Sequence, residues 1–248
     1  MVSGHGLIDC MAKRPLGKLA PEAFGLMELP RLPKEVLGGF RALGDLTGTV
    51  SDAMDQLGVA GVVPASTLRP TDPKARVVAQ AVTVLNQKAR QSVQERVAGK
   101  TSGLADIEAH NLAEPGDVLV IQGVQNVSSM GGVMASVGKR QGEAGAIVDG
   151  AVRDIDHSRD IGYPVWSSSV SPMTGKWRIE TVAINKPVTI CGVQVKPGDL
   201  VIADEVGVCF IPFAKAAEVL AMAQRLAGAE AARLKKLADG ISLPDFIQ

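Results

Sequence analysis

The sequence is poor in cysteine, aromatic side chains and long apolar runs. Its three cysteines, Cys10, Cys191 and Cys209, are odd in number, widely spaced and free of any CxxC pair. That argues against a disulfide framework and a structural zinc site, and a reducing, cytoplasmic setting is expected. No stretch approaches the roughly 18 apolar residues needed to span a bilayer, and the opening "MVSGHGLIDCMAKRPLGKLA" lacks the continuous apolar core of a signal peptide. Neither membrane insertion nor membrane targeting is expected. Aromatics make up 3% of the chain, and 26 basic residues are balanced by 26 acidic ones. Without a basic stripe interleaved with aromatics, nucleic acid is not an expected partner. What the 248 residues do contain is 46% hydrophobic side chains, enough for a substantial core.

Prolines 15, 21, 30 and 33 and the pair Gly38-Gly39 punctuate residues 1–44, which read as an N-terminal arm of the kind that crosses to a neighbouring subunit. Residues 45–248 read as a single α/β domain. In "TGTVSDAMDQLG", Ser51 or Thr49 can cap a helix that places Val50, Ala53, Met54 and Leu57 on one face. "ARVVAQAVTVLNQ" has the β-branched, apolar character of a buried strand, while "ARQSVQERVAGKT" and "GLADIEAHNLA" read as helices. "DVLVIQG", "GGVMASVGKRQG" and "AGAIVDG" form a strand–helix–strand unit with parallel strands, the helix ending at Gly142. "YPVWSS" is a short strand. The stretch from Thr181 to Pro212 alternates strand runs with turns and reads as an antiparallel ribbon, followed by a long amphipathic helix from Phe213 to Leu237.

Two places could carry chemistry. In "NVSSMGGVMASVG" a turn at Gly131 and Gly132 opens a helix whose first amides and dipole could hold a carboxylate or phosphate, the glycines letting a ligand approach the backbone. The turn lacks the spacing of a P-loop or a dinucleotide fingerprint, and tight strand-to-helix turns with glycine are usually only structural. Arg153 and Asp154 leave their strand at the same end, where ligands of parallel sheets bind. An aspartate beside an arginine could hold a hard cation while the guanidinium steadies developing negative charge. The same stretch, with Asp156, Arg159 and Asp160, also reads as solvated surface charge. His157, three positions beyond Asp154, is open between metal ligand, proton carrier and exposed helix residue. His5 and His110 are given no role. In "SPMTGKWRIE", Lys176 and Arg178 flank Trp177 in a basic flap or a solvated hairpin tip.

"GEAGAIVDGAVRDIDHSRDIGYPVW", together with "VSDAMDQLG", "PGDVLVIQG" and the run from Ser171 to Pro212, resembles the RraA-like family over roughly residues 44–213. That family includes the metal-dependent aldolases of 4-hydroxy-4-methyl-2-oxoglutarate and 4-carboxy-4-hydroxy-2-oxoadipate. The resemblance implies a swivelling β/β/α domain assembled as trimers or hexamers with active sites at subunit interfaces. It implies Mg²⁺ or Mn²⁺ on Asp154, the substrate's C2 oxygen on Arg153, and its carboxylate on the backbone amides of Val133 and Met134. The implied activity is a lyase of the class II pyruvate-aldolase type, acting on a small anionic 2-oxo acid through an enolate, with oxaloacetate decarboxylation open to the same machinery. His157 or an ordered water would carry the proton. Two positions depart from the aldolase motif: Gly132 stands where many members have an acid, and His157 replaces the motif's last acid. Those departures leave open a non-catalytic binding regulator, or a related lyase whose substrate is altered through His157. The family's ribonuclease E inhibitor lacks the aspartate after the arginine, so Arg153-Asp154 favours an enzyme.

Overall fold

The longest strand of the fold is Val77–Lys88, whose β-branched, apolar sequence is almost wholly buried. A computed structural model describes residues 13–246; His5, Cys10 and the rest of residues 1–12 lie outside the described residues. In chain order the elements are α1 (Lys34–Arg41), α2 (Thr47–Gln56), β1 (Val62–Pro64), β2 (Arg69–Pro70), β3 (Val77–Lys88), α3 (Val93–Ala98), α4 (Ile107–Leu112), β4 (Val118–Gln122), β5 (Ser128–Met130) and α5 (Gly132–Gln141). They continue with β6 (Gly145–Val152), α6 (Ile155–Asp160), β7 (Val165–Val170), β8 (Ile179–Ile184), β9 (Val188–Ile190), β10 (Val193–Val195), β11 (Leu200–Ala203), β12 (Gly207–Ile211), α7 (Ala216–Ala238) and α8 (Leu243–Phe246).

The main sheet runs β1-β12-β11-β3-β4-β6-β7-β2, with β5 beside β6 and β8 beside β3. Its centre, β3-β4-β6-β7, is parallel. The expected strand–helix–strand unit is β4–α5–β6, with Val118 opposite Gly145 and Gln122 opposite Asp149. α5 ends at Gly142 in the left-handed region, φ 78°. The α/β class and the long C-terminal helix are as the sequence implies.

Several details differ from the sequence reading. The region 181–212 is not one ribbon. β9 and β10 form a separate hairpin, pinned where the Cys191 amide donates to Asp149 Oδ2 (2.7 Å) and the Thr189 amide to Gln122 Oε1 (2.8 Å), while β11 and β12 join the main sheet. Burial and the Asp149 charge push the Cys191 thiol up to about 12. α2 starts before both proposed caps: its N-terminus is served by Asp204, whose carboxylate accepts from the Thr47 amide (3.0 Å) and hydroxyl (2.6 Å). α3 and α4 are shorter than their patterns suggest, α3 being defined by a Ser92–Glu95 capping box.

The described part of the proline-rich segment lies along its own chain. The amides of Leu16 and Lys18 donate to the Glu108 carboxylate (2.6 and 2.5 Å), Arg31 pairs with Asp117, and the Gly25 amide donates to Ile184 O (2.8 Å). Leu32, Phe40 and Leu43 are buried in a core shared with α2 and α7. Among the described residues, no helix is long and apolar enough to cross a membrane.

Candidate active site

β5 and β6 run parallel and release the chain side by side, β5 into Gly131 and β6 into Arg153. The two exits are tied: the Arg153 amide donates to Met130 O (3.1 Å), and the Gly132 amide donates to Asp154 Oδ2 (2.9 Å). Asp154 adopts a left-handed backbone, φ 53° and ψ 42°, which turns its carboxylate back over the start of α5. Aspartate is among the few non-glycine residues that tolerate that region. By helix geometry the first-turn amides of Val133 and Met134 have no acceptor inside α5, so they face whatever occupies the space in front of them. Arg153 Nε lies 3.7 Å from Asp154 Oδ2 with both side chains about half exposed, so the pair contributes little to stability.

The glycines do a different job from the one their sequence suggests. A β-carbon on Gly131 would fall 2.8 Å from Asp154 Oδ2 and 3.0 Å from Arg153 Nε, and one on Gly132 would fall 3.0 Å from His157 Cδ2. The room they leave is filled by the side chains of Arg153, Asp154 and His157 rather than by a ligand touching the backbone.

In front of this junction lies a cavity of about 330 Å³, at the small end of the usual range for small-molecule sites. Its wall includes the start of α4, the β5–α5 turn, Arg153, Asp154 and the loop Thr174–Lys176. The structure thus brings Gly131, Gly132, Val133, Met134, Arg153 and Asp154 together on one cavity. His157 is set apart: it borders a shallower groove with Ser136 and Asp156 that meets the cavity at Asp154. Its Nε2 lies 2.8 Å from Ser136 Oγ, whose hydroxyl donates to Gly132 O (2.9 Å). The imidazole is therefore the donor through Nε2, and Nδ1 is the nitrogen left free. Of the basic flap, Lys176 reaches the cavity wall and stacks on Trp177, 4.4 Å from the ring centroid, whereas Arg178 donates to Thr174 O (3.2 Å). Residues 175–177 form a 3-10 turn rather than a hairpin tip.

Two wall residues were not singled out from the sequence. Asp106 and Ser129 are buried, and among the described residues Asp106 Oδ2 and Ser129 Oγ have no hydrogen-bond partner. An acid next to a helix start was the available signal for Asp106; its burial was not visible. His110, given no role above, is fully buried with Nδ1 2.9 Å from Glu143 Oε1.

Among the described residues, no three His, Cys, Asp or Glu side chains converge as a metal cage. The donor set still fits a hard cation of the Mg²⁺ type, which takes one or two carboxylates and fills its other positions with water and substrate oxygens. Asp154 is half exposed, and with Oδ2 on the Gly132 amide it keeps Oδ1 for such an ion.

A family model described as RraA-like, Aldolase/RraA, matches residues 47–210. A protein of Halalkalibacterium halodurans, provisionally named a 4-hydroxy-4-methyl-2-oxoglutarate aldolase, is 32% identical over 79% of this chain and 86% of its own length. An uncharacterized protein from Pseudomonas syringae pv. tomato superposes with a TM-score of 0.74 at 26% identity, covering 88% of this chain and all of that one. Streptomyces coelicolor RraAS2, described as an unusual member of the RNase ES inhibitor RraA protein family, superposes with a TM-score of 0.68 at 26% identity over 82% of this chain and 98% of its own.

Proposed function

Since this chain belongs to the RraA-like family, we propose that its cavity is the active site of a divalent-metal-dependent carbon–carbon lyase acting on a small anionic 4-hydroxy-2-oxo acid. The observation that carries this reading is the Asp154 carboxylate held by the Gly132 amide beside the Arg153 guanidinium, at the mouth of α5. Asp154 would hold Mg²⁺ or Mn²⁺, which when bound polarises a 2-oxo acid for C–C cleavage. The amides of Val133 and Met134 bind the substrate carboxylate, using the positive end of α5. Arg153 faces the C2 oxygen and stabilises the negative charge that gathers there as the bond breaks. Lys176, also in the cavity wall, adds positive charge that draws an anion in. Oxaloacetate decarboxylation requires the same charge acceptor and belongs to the same proposal.

The mouth of the cavity supports assembly into a trimer or hexamer. Val133, in the cavity wall, is 75% exposed, and Val170, at the end of β7, and Met173, just before the loop Thr174–Lys176, are 63% and 42% exposed, apolar surface that a second copy would cover. A non-catalytic binding regulator is the second reading, drawn from the likeness to the Streptomyces protein and from the absence of an acid at Gly132 and His157.

The test measures cleavage of 4-hydroxy-4-methyl-2-oxoglutarate and decarboxylation of oxaloacetate, with Mg²⁺ and with EDTA, for wild type and Asp154→Asn. Asn keeps the left-handed backbone, so folding is retained while the charged ligand is lost. Activity that vanishes in chelator and falls by about 10²-fold or more in Asp154→Asn is expected. Equal turnover in chelator, or full activity in the variant, sinks the lyase and leaves the regulator.

A further inference from the structure

The cavity has a buried polar wall that the chemistry at Arg153 and Asp154 does not use. Asp106, immediately before α4, and Ser129, in β5, are 4% and 1% exposed, and both line the cavity. Among the described residues, Asp106 Oδ2 and Ser129 Oγ each lack a partner. A buried carboxylate oxygen without a donor is costly, and both residues border the same cavity, so a cavity ligand able both to donate and to accept is the kind of group that would satisfy them. A hydroxyl does both.

The surroundings suit proton transfer. One turn along α4, His110 places Nδ1 2.9 Å from Glu143 Oε1, and Glu143 Oε2 accepts the Tyr163 hydroxyl at 2.6 Å. With Nδ1–H directed at Glu143, His110 Nε2 is left as a buried acceptor, also without a partner. Burial pushes the Asp106 carboxyl up, with His110 opposing. A carboxylate of raised proton affinity is a stronger base at neutral pH than an exposed one.

Resting on the lyase reading above, we infer that Asp106 is the catalytic base that removes the proton from the C4 hydroxyl of the bound 4-hydroxy-2-oxo acid, with the Ser129 hydroxyl positioning that oxygen. The C4 O–H pair becomes the C4=O bond and the proton stays on Asp106 Oδ2. The C3–C4 pair becomes the C2=C3 bond, and the C2 carbonyl pair moves onto its oxygen, facing Arg153. The enolate then takes a proton from water at C3, and Asp106 returns its own to solvent as the carbonyl fragment leaves. Nothing is oxidised or reduced. Oxaloacetate carries no C4 hydroxyl and loses its carbon as CO₂, so its decarboxylation has no such proton to remove.

That difference defines the experiment. For wild type, Asp106→Asn and Ser129→Ala, kcat is measured with Mg²⁺ for cleavage of 4-hydroxy-4-methyl-2-oxoglutarate and for decarboxylation of oxaloacetate, and the ratio of the two is compared. Asp106→Asn is expected to lower the ratio by about 10²-fold or more, the usual worth of a general base. Ser129→Ala is expected to lower it by about fivefold, the scale of one hydrogen bond. A ratio within threefold of wild type in Asp106→Asn overturns the assignment, including when both activities fall together. Should Asp106→Asn lose its cooperative melt, Asp106→Ala, which also removes the carboxylate, is read on the same ratio and the same threshold. Wild type that turns over neither compound overturns the lyase reading itself, an outcome separate from an unchanged ratio.

Discussion

The imidazole of His157 stands over the α-carbon of Gly132: a β-carbon there would meet His157 Cδ2 at 3.0 Å and Cγ at 3.3 Å. The two positions that depart from the acidic motif of the aldolases are therefore one structural unit, a ring filling the place of a side chain. Ser136 holds that ring by its Nε2.

Gly132→Ala is accordingly expected to push His157 off Ser136, at a cost of about 1 kcal/mol for the lost hydrogen bond. Alanine's better helix propensity offsets part of it. In a His157→Ala background the obstruction is gone, and Gly132→Ala should be neutral or stabilising. Chemical denaturation of the four proteins checks this. If the single effects add within about 0.5 kcal/mol, as independent sites do, the coupling is refuted.

Gly131 is coupled to chemistry rather than to stability. Its β-carbon would lie 2.8 Å from Asp154 Oδ2 and 3.2 Å from Arg153 Cγ, so alanine must displace both side chains. Both are about half exposed and can yield into solvent. Gly131→Ala should thus lower kcat/KM for the lyase reaction by about 10²-fold, the scale of a 1 Å misplacement. Its Tm should stay close to that of wild type. A variant that loses stability and keeps activity contradicts this assignment of strain.

How far the site could be read from residues alone depended on the range of the interactions involved. β4–α5–β6 and its Gly142 stop are local patterns, period two against period 3.6 with a left-handed terminator, and they lie where the sequence puts them. The rule that parallel strands deliver their loops to one edge puts Arg153 and Asp154 beside the Gly131 turn, but it is the family resemblance that selects them over solvated surface charge. Asp106 did not follow, because "GLADIEAHNLA" has the charge content of an exposed helix. Glu108 and His110 are nevertheless buried in it, against the amides of Leu16 and Lys18 and against Glu143, partners 33 to 92 residues away. The separate β9–β10 hairpin was hidden for the same reason, since the carboxylate that pins it, Asp149, belongs to a strand 42 residues earlier. The two glycines advertised an opening for ligand, and only the positions of Arg153, Asp154 and His157 show that the opening is already filled.

A buried base leaves a thermodynamic trace that does not depend on any substrate. Burial raises the proton affinity of Asp106 in the folded chain above its unfolded value, which lies near about 3.9. The stability it contributes is therefore complete below that unfolded value and is lost as pH rises through the folded one. Asn at 106 cannot ionise and escapes the loss. The Tm of Asp106→Asn relative to wild type should accordingly climb as pH rises above about 4. His110 faces Asp106 from one turn along α4, with Glu143 and Tyr163 behind it, and all three are common to both proteins. Asp199, also raised by burial, is common to both proteins and cancels. A Tm difference that is flat or falls as pH rises means that Asp106 is not held against ionisation. A difference that climbs while the cleavage-to-decarboxylation ratio collapses is the pattern of a residue kept for chemistry at the expense of stability.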